Sequence, residues 1–344
     1  MTHRVTCIII LMIMLSSQSD VYNAEPLIKK ASLLSKFGNM SKLAGEVKSS
    51  ADGSCVQPAG IIHQAGFPLF AGFTNQLMYC ALFLGSHKNT TSPLCVARLM
   101  IQRDVPSYVP FGTLFDLKKL QRDFGTGPIT DCECVIGSEG LGQPDWKLVS
   151  LVVDAVLPSI KKSILDEPFA KMLSTINKSH QFNALHLKTD QWDIEHYGGF
   201  VHHVPIALFK QNLIDCYVTV ITLNFSPDVP IFLLSTDVDP VFIKRLHDLN
   251  YQIFFPLVKS IPNFPEGREL SALSSLILFE SLRFKLMISA GGSTFGFLLL
   301  VRHPEIFSFT IDLDTIPHRP ECPDIQSYRK KSKSPNILEA SYQF

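Results

Sequence analysis

The chain of 344 residues is 46% apolar and 18% charged, a composition that excludes a disordered or fibrous protein and supplies core enough for two ordinary domains. Lys plus Arg and Asp plus Glu balance at 31 each, for a formal net charge of zero, and the pI is about 7.1. No global field therefore draws it to nucleic acid or to an anionic membrane, and any charged ligand must be held by local chemistry.

Residues 1–20 place Arg4 before an apolar run from Val5 to Leu15 and end on Ser16-Ser17-Gln18-Ser19-Asp20, the shape of a secretory signal. The run is shorter than the roughly 20 residues that span a bilayer, so cleavage near Ser19 is expected in preference to a retained anchor. Residues 21–50, rich in Lys, Ser and Leu, read as an exposed arm or stem without chemistry. Asn39, Asn89, Asn177 and Asn224 stand in Asn-X-Ser/Thr tripeptides, the last weakened by Pro227, as expected of a luminal or extracellular chain whose N-glycosylation sites are Asn39, Asn89 and Asn177. With Cys7 in the leader, seven of the eight cysteines remain. An odd number in an oxidising compartment leaves at least one free or paired between chains. Cys132-Glu133-Cys134 has no second cysteine pair or histidine pair at ligand spacing, so no zinc site is expected there.

From Gly60 onward, short apolar runs alternate with longer helical patterns, which predicts an α/β architecture with parallel sheets. Strands are expected at Phe182 to Leu187, Val218 to Leu223, Pro230 to Leu234 and Leu286 to Ser289. Helices are expected at Asp239 to Asn250, with Asp239 as cap and Pro240 in the first turn, and at Ser271 to Phe284. The segment Val149 to Ile164 divides the chain into lobes at 51–165 and 166–322, each doubly wound. Residues 323–344, with Arg329, Lys330, Lys331 and Lys333, read as a mobile basic tail. No later segment reads as a membrane span.

In open α/β sheets ligands lie beyond the carboxyl ends of the strands, and four polar constellations fall at such places. Gly72-Phe73-Thr74-Asn75-Gln76 follows the apolar stretch Phe67 to Phe70 and opens a helical pattern. It is either a phosphate-approaching glycine turn or a plain strand-to-helix turn capped by Asn75. His186-Leu187-Lys188 ends a strand and is followed by Asp190, Trp192, Asp193, Glu195 and His196, a concentration of ionisable groups that is costly without a polar site to use it. Thr236-Asp237-Val238-Asp239 fits either a metal-held diphosphate or a helix cap at Asp239. Gly291-Gly292-Ser293-Thr294-Phe295-Gly296 precedes an apolar helical run and suits either a diphosphate at a helix N-terminus or close helix packing. No nucleophile elbow, P-loop or His-Glu-X-X-His occurs, so hydrolase, ATPase and zincin chemistries lack their motifs.

In this order, Gly72 to Gln76, His186 to Lys188, Thr236-Asp237 and Ser293 to Phe295 resemble the GDP-fucose protein O-fucosyltransferase family, as a divergent member. Phe115-Asp116 and Asp190-Gln191-Trp192 are supporting echoes, and the resemblance spans about residues 60 to 315. It implies a GT-B fold of two Rossmann-like lobes and inverting transfer of fucose from GDP-fucose to a protein Ser/Thr or glycan hydroxyl. The implied setting is the endoplasmic reticulum or Golgi lumen, with no metal and no cofactor. It further implies Lys188, Asn75 and Glu195 as catalytic residues, with Asp193 and His196 as open alternatives for the base. Gly72, Phe73, His186, Asp237, Ser293, Thr294 and Phe295 are implied to bind the donor. Lys188 departs from the family's arginine, replacing a planar bidentate fork by a point charge.

Overall fold

A computed structural model describes residues 59–67, 71–102, 107–132, 144–165, 181–189, 191–234, 238–255, 268–291, 293–313 and 316, all within one compact unit, Ser49–Phe344. The leader, the arm, the basic tail, Asn39 and Asn177 lie outside them.

The first part of the chain runs β1 (Ile62–His63), α1 (Phe73–Ser86), β2 (Leu94–Val96), β3 (Leu99–Gln102), β4 (Ser107–Val109), α2 (Leu117–Phe124), β5 (Ile129–Asp131), α3 (Trp146–Asp154) and α4 (Pro158–Leu165). Strands β1, β2 and β5 form a parallel sheet, and β3 pairs with β4 as an antiparallel ribbon. Helix starts are chemically marked. Asp116 accepts from the Lys119 amide at 2.9 Å and Asp145 from that of Lys147 at 2.9 Å, each satisfying an amide that the first turn leaves unpaired. Helix α2 stops at Gly125, whose φ of 63° is a left-handed C-terminal cap suited to glycine.

The second part runs β6 (Phe182–His186), the short α5 (Gln191–Ile194), a π-helical turn (Glu195–Val201), α6 (Ile206–Asn224), β7 (Ile231–Leu233), α7 (Pro240–Asp248), β8 (Ile253–Phe254), α8 (Arg268–Ser281), β9 (Phe284–Ala290), α9 (Thr294–Arg302) and β10 (Phe307–Ile311). Its five strands are all parallel, in the order β10-β9-β6-β7-β8. The chain thus winds outward from β6 to β8, then crosses back and restarts beside β6 at β9.

The strand alternation explains why this sheet is buried on both sides. Phe182, Ala184, Phe232 and Met287 join one cluster, which also takes in α1, β2, α3, α8 and α9. Leu185, Ile231, Leu233 and Ile288 face the other, where α6 packs through Phe209, Leu213, Tyr217, Val220 and Ile221. Period-two alternation with both faces apolar is what a helix-covered parallel sheet requires.

The mixed α/β architecture with parallel sheets is as expected, and three of the four strands are found at their places. The fourth is a correction: Val218 to Leu223 lies inside α6. Six aliphatic and β-branched residues fit a buried strand, but buried Phe209, Leu213, Tyr217 and Ile221 continue a four-residue helical stripe through the segment. Helix α8 also ends at Ser281, because Phe284 already opens β9. By length and a mean hydropathy of 1.3, α6 could cross a membrane. Its packing against the sheet accounts for that apolarity.

Candidate functional site

The crossover between β6 and β9 is a topological switch point, the place in an open α/β sheet where ligands characteristically bind beyond the strand ends. His186 ends β6 there. Its Nδ1 lies 3.3 Å from Oγ of Ser289, 103 residues later on β9, and its ring centroid is 5.2 Å from that of Phe295. Ser293 caps α9 by accepting from the Gly296 amide at 3.4 Å. That leaves the amides of Thr294 and Phe295 ahead of the first intrahelical bond. A capping hydroxyl accepts through its oxygen and retains its own proton to donate. Gly296 permits this arrangement, since a Cβ would fall 2.0 Å from Ser289 Oγ and 3.3 Å from His186 Nδ1. The two readings of the glycine-rich segment therefore divide between residues: Gly296 serves close packing, and Ser293 and Thr294 form the helix start.

Lys188 stands two residues beyond His186. Its Nζ donates to the Tyr197 hydroxyl at 3.1 Å and lies 3.8 Å from Oδ1 of Asp193. The 5.0 Å separation from the Tyr197 ring centroid adds little, because the ammonium approaches the hydroxyl end of that ring. The Lys188 amide donates to the hydroxyl of fully buried Tyr217 at 3.4 Å. Burial pushes the Tyr217 phenol well above its usual range, so it stays protonated. His196 is held below the ordinary imidazole value, first by desolvation and then by the Lys188 charge, which favours its neutral form. Glu195 is exposed and Asp193 is buried. A π-helical turn carries Glu195, His196 and Tyr197, and Gly198 lets that turn close on α6, where a Cβ would meet the Phe209 side chain at 2.9 Å. Such turns are rare and concentrate at functional sites.

The first glycine motif does open a helix, but Asn75 is not its cap. Gly72 is the N-cap of α1 with no side-chain cap, and Asn75 sits within the first turn. The preceding strand is β1, well upstream of the Phe67 to Phe70 stretch, of which 68–70 lie outside the described residues. Gln76 is structural: Nε2 donates to Met100 O at 2.8 Å and to Ala71 O at 3.2 Å, while Oε1 accepts from the Met100 amide at 2.8 Å. Phe73 is core. Thr74 Oγ1 and Asn75 Oδ1 are buried without a hydrogen-bond partner among the described residues. Helix α1 packs against α9, so the Gly72 and Ser293 motifs sit on adjoining helices.

Asp239 is the N-cap of α7, accepting from the Val241 amide at 2.8 Å and pairing with Lys210. It takes the capping role that the sequence allowed. Asp237 lies outside the described residues, as do the Trp192 side chain and Gly292. Phe115 is core and Asp116 caps α2, so that echo has a structural explanation. Asn89 is exposed in a turn at φ 65°.

Ser289, Tyr197 and Tyr217 were not singled out in the sequence. Ser289 reads there as a strand end, and the tyrosines meet Lys188 only through the packing of the π-helical turn and α6 beneath β6. Comparison with protein-family models, curated proteins and solved structures finds no match for this chain.

Proposed function

We propose that this chain is an inverting, metal-independent glycosyltransferase that moves fucose from GDP-fucose to a protein Ser/Thr or glycan hydroxyl in the secretory-pathway lumen, on a GT-B-like pair of lobes. The observation that carries the reading is the meeting of His186 with the Ser293–Phe295 helix start at the switch point between β6 and β9. Two amides at a helix N-terminus and the flanking hydroxyls suit the negative charge that grows on a departing diphosphate. The Phe295 ring offers a flat surface to a base or sugar. Of the three bases open in the sequence, Asp193 is buried against Lys188 and Glu195 points to solvent. His196, partly exposed and kept neutral, is the better proton acceptor.

The Lys188 network favours a second reading. An ammonium already faced by a carboxylate and a phenol is less available to a diphosphate than a free arginine fork, which suits a nucleotide- or glycan-binding protein on the same scaffold. The two are separated by incubating the purified chain with GDP-fucose in EDTA, with and without a mixed peptide and glycan acceptor pool. The experiment reads GDP release and the fucose mass increment. Acceptor-dependent release supports transfer, saturable GDP-fucose binding without turnover supports the binding protein, and neither result leaves both without support.

A further inference from the structure

A second cluster lies on the other sheet. His63 ends β1 and is the register partner of Cys95 on β2, and Cys95 in turn pairs with Thr130 on β5. Residues in register present their side chains to one face, and Cys132, two residues beyond Thr130, returns to that face. The Cys132 amide donates to Val96 O at 2.9 Å, holding it against β2. Three parallel strands therefore deliver an imidazole and two sulfurs to one spot at the carboxyl edge of the sheet. One ligand atom from each lies within 4.8 Å of the others, and Cys132 Sγ is 3.8 Å from His63 Nδ1.

In this structure the two sulfurs are joined as a disulfide with Cα atoms 5.1 Å apart. The histidine beside them has no ordinary hydrogen-bond partner among the described residues. Nε2 is buried without one, and Nδ1 faces only the Cys132 sulfur. A half-buried imidazole in that condition is under-satisfied, and a ring nitrogen directed at sulfur is where a thiophilic cation would bind once that nitrogen gives up its proton.

We infer that His63, Cys95 and Cys132, once the disulfide is reduced, form a binding site for a zinc-class divalent cation, so that the same two sulfurs hold either each other or the metal. Tetrahedral zinc with sulfur at about 2.3 Å and imidazole nitrogen at about 2.0 Å sets its ligand atoms roughly 3.5 to 3.8 Å apart. The imidazole and Cys132 already stand at that spacing, and rotation of the cysteine side chains supplies the rest. Three protein ligands leave a fourth position for water or an outside ligand. Release is a balanced exchange: the two zinc-bound thiolates give two electrons to a small-molecule disulfide, the protein S–S bond forms, and the oxidant departs as two thiolates with the freed Zn2+. The redox poise around the chain decides which form prevails. This site is separate from the switch point and does not depend on glycosyl transfer.

The test uses the full chain, reduced with a phosphine under argon, loaded with Zn2+, desalted and assayed for bound metal. Co2+ serves as a spectroscopic substitute that reports thiolate ligation through its charge-transfer band. Expected results are one metal equivalent on the reduced chain, none on the oxidised chain, and release on adding glutathione disulfide as the protein disulfide re-forms. Cys216→Ser and Cys80→Ser should retain the metal, because neither residue belongs to the cluster. Cys95→Ser with Cys132→Ser should abolish uptake. His63→Ala keeps the disulfide and so can be prepared folded before reduction; it should weaken binding at least tenfold. The inference is overturned if the reduced chain holds no more metal than the oxidised one, for whatever reason including unfolding. It is equally overturned if His63→Ala, or the double serine variant, binds as the parent does.

Discussion

Replacing Lys188 by methionine tests whether that residue belongs to the fold, to the ligand, or to both. The side chain is 17% exposed and its partner carboxylate on Asp193 only 4%, so the pair lies where removing one member leaves a charge short of its compensation. Such losses run at about 3–5 kcal/mol. A 3.8 Å separation and the residual exposure of Lys188 place this case near the low end, at about 3 kcal/mol. Lys188→Met and Asp193→Asn each should destabilise, and the double variant should be more stable than the sum of the two losses, with a coupling of about 1–2 kcal/mol. Urea denaturation of the four proteins, read by far-UV circular dichroism, yields the cycle. Additivity within about 0.5 kcal/mol would show that the two charges do not interact, and the structural role argued for Lys188 would then be wrong. Lys188→Arg supplies the complementary test: if the site is a transferase whose lysine limits it, GDP-fucose affinity should rise.

Gln76→Ala strands the buried backbone amide and carbonyl of Met100 and should cost about 3 kcal/mol by denaturant titration, whereas Asn75→Ala should cost little stability. Gly296→Ala forces a Cβ into Ser289 Oγ and should destabilise by about 1–3 kcal/mol. Adding Ser289→Ala should recover much of that, and no recovery would mean the clash lies elsewhere. Asp239→Ala removes the cap of α7 and should cost about 1 kcal/mol without altering any metal response. The depressed His196 value means that the unfolded chain gains a proton near pH 6.5 that the native state takes up only at lower pH. The contribution is therefore intact above that pH and is lost as pH falls through the folded value. Stability should decline as pH falls below about 6.5, and His196→Gln should flatten that decline.

Local chemistry was legible wherever it acts over a few residues. Asp239 before Pro240 reads as a cap and is one, and the buried parallel strands at Phe182, Ile231 and Leu286 read from their apolar runs. Val218 to Leu223 misled because six β-branched and aliphatic residues satisfy a strand and a buried helix alike, and only the longer stripe back to Phe209 separates them. The candidate site was half legible. His186 and Ser293 were marked as strand-end and helix-start chemistry, but their meeting depends on the crossover that puts β9 beside β6. Gln76 looked like part of a ligand motif, while its amide clamps Met100, a partner set by strand packing. The odd cysteine count anticipated a thiol either free or paired between chains, and among the described residues Cys80 is free and buried in α1. The His63, Cys95 and Cys132 cluster escaped notice because its members share no local spacing and meet only through sheet register.

The central claim is that a guanosine diphosphate sugar sits at the switch point against the start of α9. Isothermal titration of GDP-fucose, GDP and UDP in EDTA, on the parent chain and on Thr294→Asp, addresses it directly. A carboxylate in that first turn favours the helix dipole, so the fold is preserved, yet it repels a diphosphate. The account predicts micromolar GDP-fucose binding, about −8 kcal/mol, with UDP weaker and Thr294→Asp losing at least tenfold. Absence of guanine-nucleotide binding by the parent, or binding that Thr294→Asp leaves unchanged, would contradict it.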